Sequence, residues 1–175
     1  MASEFQRRKI ATVFTAMDDD GDAYLDETDF EALTGRWVAL RGVTAGSAEG
    51  VRLRAIMMGW WSTLLAASER ADKVSLDDVL MVVDQLGGML DAVTATAETM
   101  FDAIDENGDG EISRAEYRQL IEAWNGTATD TDETFGLLDL DGDGHLSRKE
   151  FVEHWTEFWA GDNPDAPGTW VFGRF

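Results

Sequence analysis

Apolar residues recur along this chain at intervals of three and four, in runs broken by short acidic segments. Ile10, Val13, Phe14 and Met17 fall at i, i+3, i+4 and i+7, the spacing of one helical face. The same spacing returns in Phe30, Leu33 and Trp37, and in Leu76, Val79, Leu80 and Val83. It continues in Val93, Ala97, Met100, Phe101 and Ile104, then in Tyr117, Leu120, Ile121 and Trp124. Phe135 and Leu138 precede a last stripe of Phe151, Trp155 and Phe158. Between Ile56 and Trp61 apolar residues cover most of the circumference, which predicts a helix buried all round. Helical stripes of this kind recur along the chain, and the expected fold is all-α.

The acidic segments between stripes repeat one pattern. Asp18–Asp29, Asp105–Glu116 and Asp139–Glu150 each begin with Asp and place oxygen-bearing residues at alternate positions. Each joins two helical stripes, so helix, acidic loop, helix is a unit used repeatedly. A fourth unit lies between the first two. Val74-Ser75-Leu76-Asp77-Asp78 matches the end of such a loop, which makes Ala67 its first position, Glu69 its third and Ala71 its fifth. Two of its three expected ligands are methyl groups, so this loop is expected to hold no ion. Leu25, Val74, Ile112 and Leu146 all stand at the eighth position. They predict short β-bridges between loops, Leu25 with Val74 and Ile112 with Leu146. The units then form two pairs, 1–87 and 88–175, the second ending in a tail over 160–175. No long linker separates them, and one packed body is expected.

Runs of Asp and Gly are ordinarily solvated turns, and Ser113-x-x-Glu116 and Ser147-x-x-Glu150 also read as helix capping boxes. The pattern here is more specific than either. Calcium is a hard cation that takes six to eight oxygens, and a twelve-residue loop supplies them from positions 1, 3, 5, 7, 9 and 12. In 105–116 these are Asp105, Asn107, Asp109, the Glu111 carbonyl, a water held by Ser113, and Glu116. In 139–150 they are Asp139, Asp141, Asp143, the His145 carbonyl, a water near Ser147, and Glu150. Gly110 and Gly144 stand at the sixth position, where the chain turns sharply. In 18–29 the set is Asp18, Asp20, Asp22, the Tyr24 carbonyl, Asp26 and Asp29. That loop departs twice: Ala23 replaces the glycine and Asp29 the final Glu. A shorter last ligand predicts easier six-fold coordination, and hence competition from Mg2+. Three Ca2+ sites are expected.

Charge agrees with this reading. Thirty-five acidic residues face fourteen basic ones, a formal net charge of −21. A compact body so charged repels itself unless cations bind, and it lacks the basic stripe that nucleic acid requires. With 44% hydrophobic residues the chain has material for a core. It has no cysteine, which removes disulfides and zinc-thiolate sites. The first residues lack the apolar stretch of a secretory signal, and no apolar run is long enough to span a bilayer. A cytoplasmic monomer without a membrane partner is expected.

These features resemble EF-hand proteins, in particular the sarcoplasmic calcium-binding protein and calerythrin group. The likeness rests on four helix–loop–helix units, an empty second loop, a long first interval, and the ending Asp165-Ala-Pro167-Gly168-Thr-Trp170. It implies a compact helical body that buffers or transports calcium. An alternative is a calcium sensor that opens a Met-rich groove to a protein target, with Met57, Met58, Met81, Met89 and Met100 as candidates. As core fillers, those methionines favour the buffer. A remoter alternative is a chromophore-holding, photoprotein-like enzyme. Only two His are present; His145 sits in a loop, and His154 is expected at a core edge or the surface. No catalytic constellation is visible, and a non-enzyme is expected.

Overall fold

The computed structural model describes residues 1–175. Eight helices follow in order: α1 (Glu4–Met17), α2 (Glu27–Arg41), α3 (Ala48–Ala67), α4 (Leu76–Val83), α5 (Leu90–Ile104), α6 (Arg114–Asn125), α7 (Asp132–Leu138) and α8 (Arg148–Ala160). Six start on a side chain that accepts a backbone N–H: Ser3, Asp26, Ser47, Ser75, Ser113 and Ser147. At Asp26, Ser75, Ser113 and Ser147 the residue three places on reaches back to the cap, closing a capping box. α2 and α6 end on Gly42 and Gly126 in left-handed conformation (φ 66° and 72°), which releases the chain from the helix without a Cβ clash.

The loops pair as their eighth positions predict. β1 (Glu111–Ser113) and β2 (His145–Ser147) run antiparallel with Ile112 opposite Leu146. Leu25 and Val74 form an isolated bridge, each N–H donating to the other's carbonyl at 2.8 Å. All four of these side chains are buried, so the bridges close the core from the loop side.

The buried apolar side chains form one cluster of 37 residues drawn from both halves of the chain. α5 packs on α8, α2 on α3 and on α6, and α1 on α4. Arg36 of α2 stitches the halves: its Nε donates to the Ala123 carbonyl at 2.6 Å and its Nη2 to that of Trp124 at 3.3 Å. These are late carbonyls of α6, where a cation meets the negative end of the helix dipole. Beside them Trp37 meets Trp124 edge-on, ring centroids 6.1 Å apart.

The tail folds back. A short turn of 3-10 helix at Pro167–Trp170 lies on α8. The Tyr117 hydroxyl donates to the Val171 carbonyl at 2.6 Å, and Phe172 sits between Trp124 and Phe158, at 4.6 and 4.7 Å. Gly168 has no room for a side chain, because a Cβ would stand 2.4 Å from the His154 carbonyl oxygen.

Three expectations are corrected. α3 is not buried all round: Leu53, Met57, Trp61 and Leu64 face inward, while Gly59 is exposed and Ile56, Met58 and Trp60 are half-covered. Trp60 still reaches α5, its Nε1 donating to the Thr96 hydroxyl at 2.8 Å, while Val51, Arg52, Arg54 and Ala55 are exposed. Met81 is 49% exposed, so it fills no core, whereas Met57 and Met100 do. His154 is a core residue, 2% exposed, with Nε2 2.8 Å from the Leu138 carbonyl oxygen. The tail lying over α8 accounts for its burial. No single helix is long and apolar enough to cross a membrane; α4 and α5 pass only as a pair bent by 101°.

Candidate calcium loops

Each acidic loop begins where a helix runs out, at the C-caps Asp18, Asp105 and Asp139, and ends in the first turn of the next. The three loops share one hydrogen-bond template. The first Asp takes two or three backbone N–H bonds: Asp18 Oδ1 from Gly21 (2.8 Å) and Oδ2 from Ala23 (2.9 Å). Asp105 takes them from Gly108 and Gly110, and Asp139 from Gly142 and Gly144, all at 2.9 Å. The third residue accepts from the N–H of the fifth: Asp20 from Asp22, Asn107 from Asp109 and Asp141 from Asp143, each at 3.1 Å. The fifth accepts from the seventh: Asp22 from Tyr24, Asp109 from Glu111 and Asp143 from His145, at 2.8–2.9 Å. The twelfth accepts from the ninth: Asp29 from Asp26, Glu116 from Ser113 and Glu150 from Ser147, each at 2.8 Å.

This template turns carboxylates toward one another although like charges repel. The carboxylate oxygens of Asp18, Asp20 and Asp22 come within 4.8 Å, as do those of Asp139, Asp141 and Asp143. Asn107 takes the equivalent place between Asp105 and Asp109. The donor set is all oxygen, which fits a hard divalent ion and not zinc or copper. The hydroxyls of Ser113 and Ser147 accept from the N–H of Glu116 and Glu150 at 3.2 Å, so both serve as helix caps.

The two departures in the first loop are visible. Ala23 has φ 67°, the only non-glycine residue in the left-handed region. Asp29 is buried and makes the bonds Glu116 makes, accepting also from Asp19 N–H at 2.9 Å, as Glu116 does from Glu106 at 3.1 Å. Burial pushes the Asp29 carboxyl up, against the pull of those N–H groups.

The second loop has none of this geometry at its first and fifth positions, where Ala67 and Ala71 stand. It carries two cations that the ligand pattern left out of account. Arg70 Nη1 lies 3.5 Å from Oδ2 of Asp78, the loop's own twelfth residue. Lys73 crosses to the first loop and ion-pairs with Asp22 Oδ2. The only trace of them in the sequence is two basic residues where the other loops carry acids, glycine or a carbonyl-donating residue.

Apart from the loops, the core contains a cavity of about 90 Å³ between the two halves. Val13, Phe14, Met57, Val83, Trp124 and Trp159 are among its walls, and Thr96 is the only polar residue lining it.

Paired helix–loop–helix units with bridged eighth positions define the EF-hand class, and residues 94–156 match the EF-hand domain pair. That stretch, from α5 to α8, is an EF-hand domain pair. Beyond that pair, the chain is 27% identical over 158 residues to the sarcoplasmic calcium-binding protein, alpha chain, of Penaeus vannamei, covering 78% of this chain and 82% of that one. Among solved structures it is similar to a calcium-binding protein of Streptomyces coelicolor (TM-score 0.71, 23% identity, 90% and 99% of the two chains). It also resembles calcium-loaded apo-aequorin of Aequorea victoria (TM-score 0.77, 15% identity, 94% and 95%). A third is the coelenterazine-binding protein of Renilla muelleri (TM-score 0.67, 21% identity, 99% and 100%).

Proposed function

We propose that this protein binds three calcium ions, at 18–29, 105–116 and 139–150, and serves as a calcium buffer without catalytic activity. One observation carries the reading: one template of backbone bonds orients the first, third, fifth and twelfth side chains in these three loops, whereas 67–78 keeps only its twelfth-residue bond, Ser75 N–H to Asp78 at 2.8 Å, and has alanine at its first and fifth positions. The relation to a sarcoplasmic calcium-binding protein supports it. Asp29 in place of Glu gives the first site the weakest discrimination against Mg2+. The test is calorimetric titration of the chelator-stripped chain. Three ions per chain are expected; an intact fold taking up none at millimolar calcium overturns the proposal.

Buffer and sensor differ in what calcium uncovers. Met57 and Met100 lie in a core shared by both halves, and the tail covers α8 with Phe172. Closed surfaces of this kind favour a buffer. Titration with a hydrophobic dye is expected to show little calcium-dependent enhancement, whereas a several-fold rise would favour a sensor. The cavity and the coelenterazine-binding relative raise a chromophore-holding role, and the small size of the cavity argues against it. At about 90 Å³ it is smaller than the ~150 Å³ apolar void known to admit benzene. A multi-ring ligand would have to part the two halves.

A further inference from the structure

We propose that Lys73, carried by the loop without ligands, sets the calcium affinity of the first loop by acting as a tethered counter-cation to Asp22. The inference rests on the reading of 18–29 as an ion site.

The first loop concentrates the most carboxylates of the three: Asp18, Asp19, Asp20, Asp22, Asp26, Glu27 and Asp29 lie within its twelve residues, against five in 105–116 and four in 139–150. Its partner loop, held to it by the Leu25–Val74 bridge, has no ion to hold. Lys73 precedes that bridge directly, so the bridge's register fixes where its side chain emerges. The ammonium reaches Asp22 Oδ2, while Oδ1 accepts from Tyr24 N–H. The Tyr24 ring supports the approach: Lys73 Nζ stands 5.6 Å from its centroid and the Arg70 guanidinium 5.0 Å. The second loop thus aims its positive charge at the first, through a contact that both β-bridge and aromatic platform maintain.

A divalent ion entering 18–29 meets that ammonium. It must displace Lys73 from Asp22 or share the carboxylate with it, and in either case the cations repel. The equivalent carboxylates of the other loops face no such competitor: Asp109 accepts from Asn107 Nδ2 at 2.9 Å, and Asp143 from backbone. The empty hand is therefore a regulator of its neighbour's occupancy as well as a structural partner.

The experiment uses the full chain with Glu116→Gln and Glu150→Gln, which confines calcium to the first loop. Lys73→Met and Lys73→Gln are compared with the parent by calorimetry at 20 and 200 mM KCl. Both substitutions are expected to tighten the remaining site about five-fold at low salt, with a smaller gain at high salt as screening removes the repulsion. Circular dichroism checks that the variants keep the parent's helicity; Lys73 is over a third exposed, so they should. Unchanged or weaker binding in both folded variants overturns the role of Lys73 while leaving the site standing. No binding in the parent background overturns the reading of the loop, and the proposal with it.

Discussion

Ala23 bears the one left-handed φ that a side chain has to tolerate, in the loop position where its counterparts are glycine. The strain is about 1 kcal/mol and is present before any ion arrives. Ala23→Gly should therefore raise the melting temperature by roughly 2–4 °C in chelator, and leave calcium affinity at that loop unchanged. Lys9 is the other residue whose situation is costly. It is fully buried on α1, its Nζ donating to the Gly161 carbonyl at 2.6 Å between the rings of Phe5 and Phe158. Burial lowers its pKa from 10.5 to about 8, with Asp162 pulling the other way. Between those values the unfolded chain still holds the proton and the folded chain has lost it. Stability from this group is thus complete above pH 10.5 and disappears as the pH falls through 8. Denaturant midpoints of the parent minus those of Lys9→Met should climb between pH 8 and 10; a flat difference would contradict the assignment.

At the level of helices and loops, the twelfth residue links each candidate loop to the helix that follows. Glu116 and Glu150 close the capping boxes of α6 and α8 while facing their loops. Glu116→Gln and Glu150→Gln should each lower the number of bound calcium ions by one, as counted by calorimetry. Three sites remaining in either variant would refute the ligand assignment. The helices and loops were readable in advance because each rests on local rules. The stripes need only a 3.6-residue period, and the ligands need only fixed spacing. Even the Leu25–Val74 bridge followed from position, because an apolar eighth residue has one dry place to go. What stayed hidden depends on neighbours distant in sequence. His154 is buried by a tail that turns back thirteen residues later with Gly168 pressed on its carbonyl. The exposed side of α3 is a matter of which helices fail to cover it. Lys73 reaches Asp22 across 51 positions, and no periodicity announces an ion pair between loops.

For the molecule as a whole, calcium should act as a folding ligand. An ion at a hundred-fold excess over its dissociation constant adds about 2.7 kcal/mol per site, so three add about 8 kcal/mol. That rivals the entire stability of an ordinary domain, about 5–15 kcal/mol. The melting temperature should accordingly rise by roughly 20 °C from chelator to saturating calcium. A melt that does not move would contradict all three sites at once. Since one core spans both halves, filling the C-terminal loops alone should stabilise α1 and α2 as well, measurable as slowed amide exchange in those helices.

The edge-on contact of Trp37 with Trp124 supplies an optical gauge for that unity. Trp124 continues through Trp155 and Trp159, at 6.2 and 6.4 Å, so four indoles from three helices form one chain of neighbouring chromophores. Asymmetric coupling of this kind gives a strong near-ultraviolet dichroic band that survives only while the rings keep their mutual angles. Any motion that draws α2 away from α6 should extinguish the Trp37 share of that band while the far-ultraviolet helix signal stands unchanged, and Trp37→Phe would mark which part of the spectrum to watch.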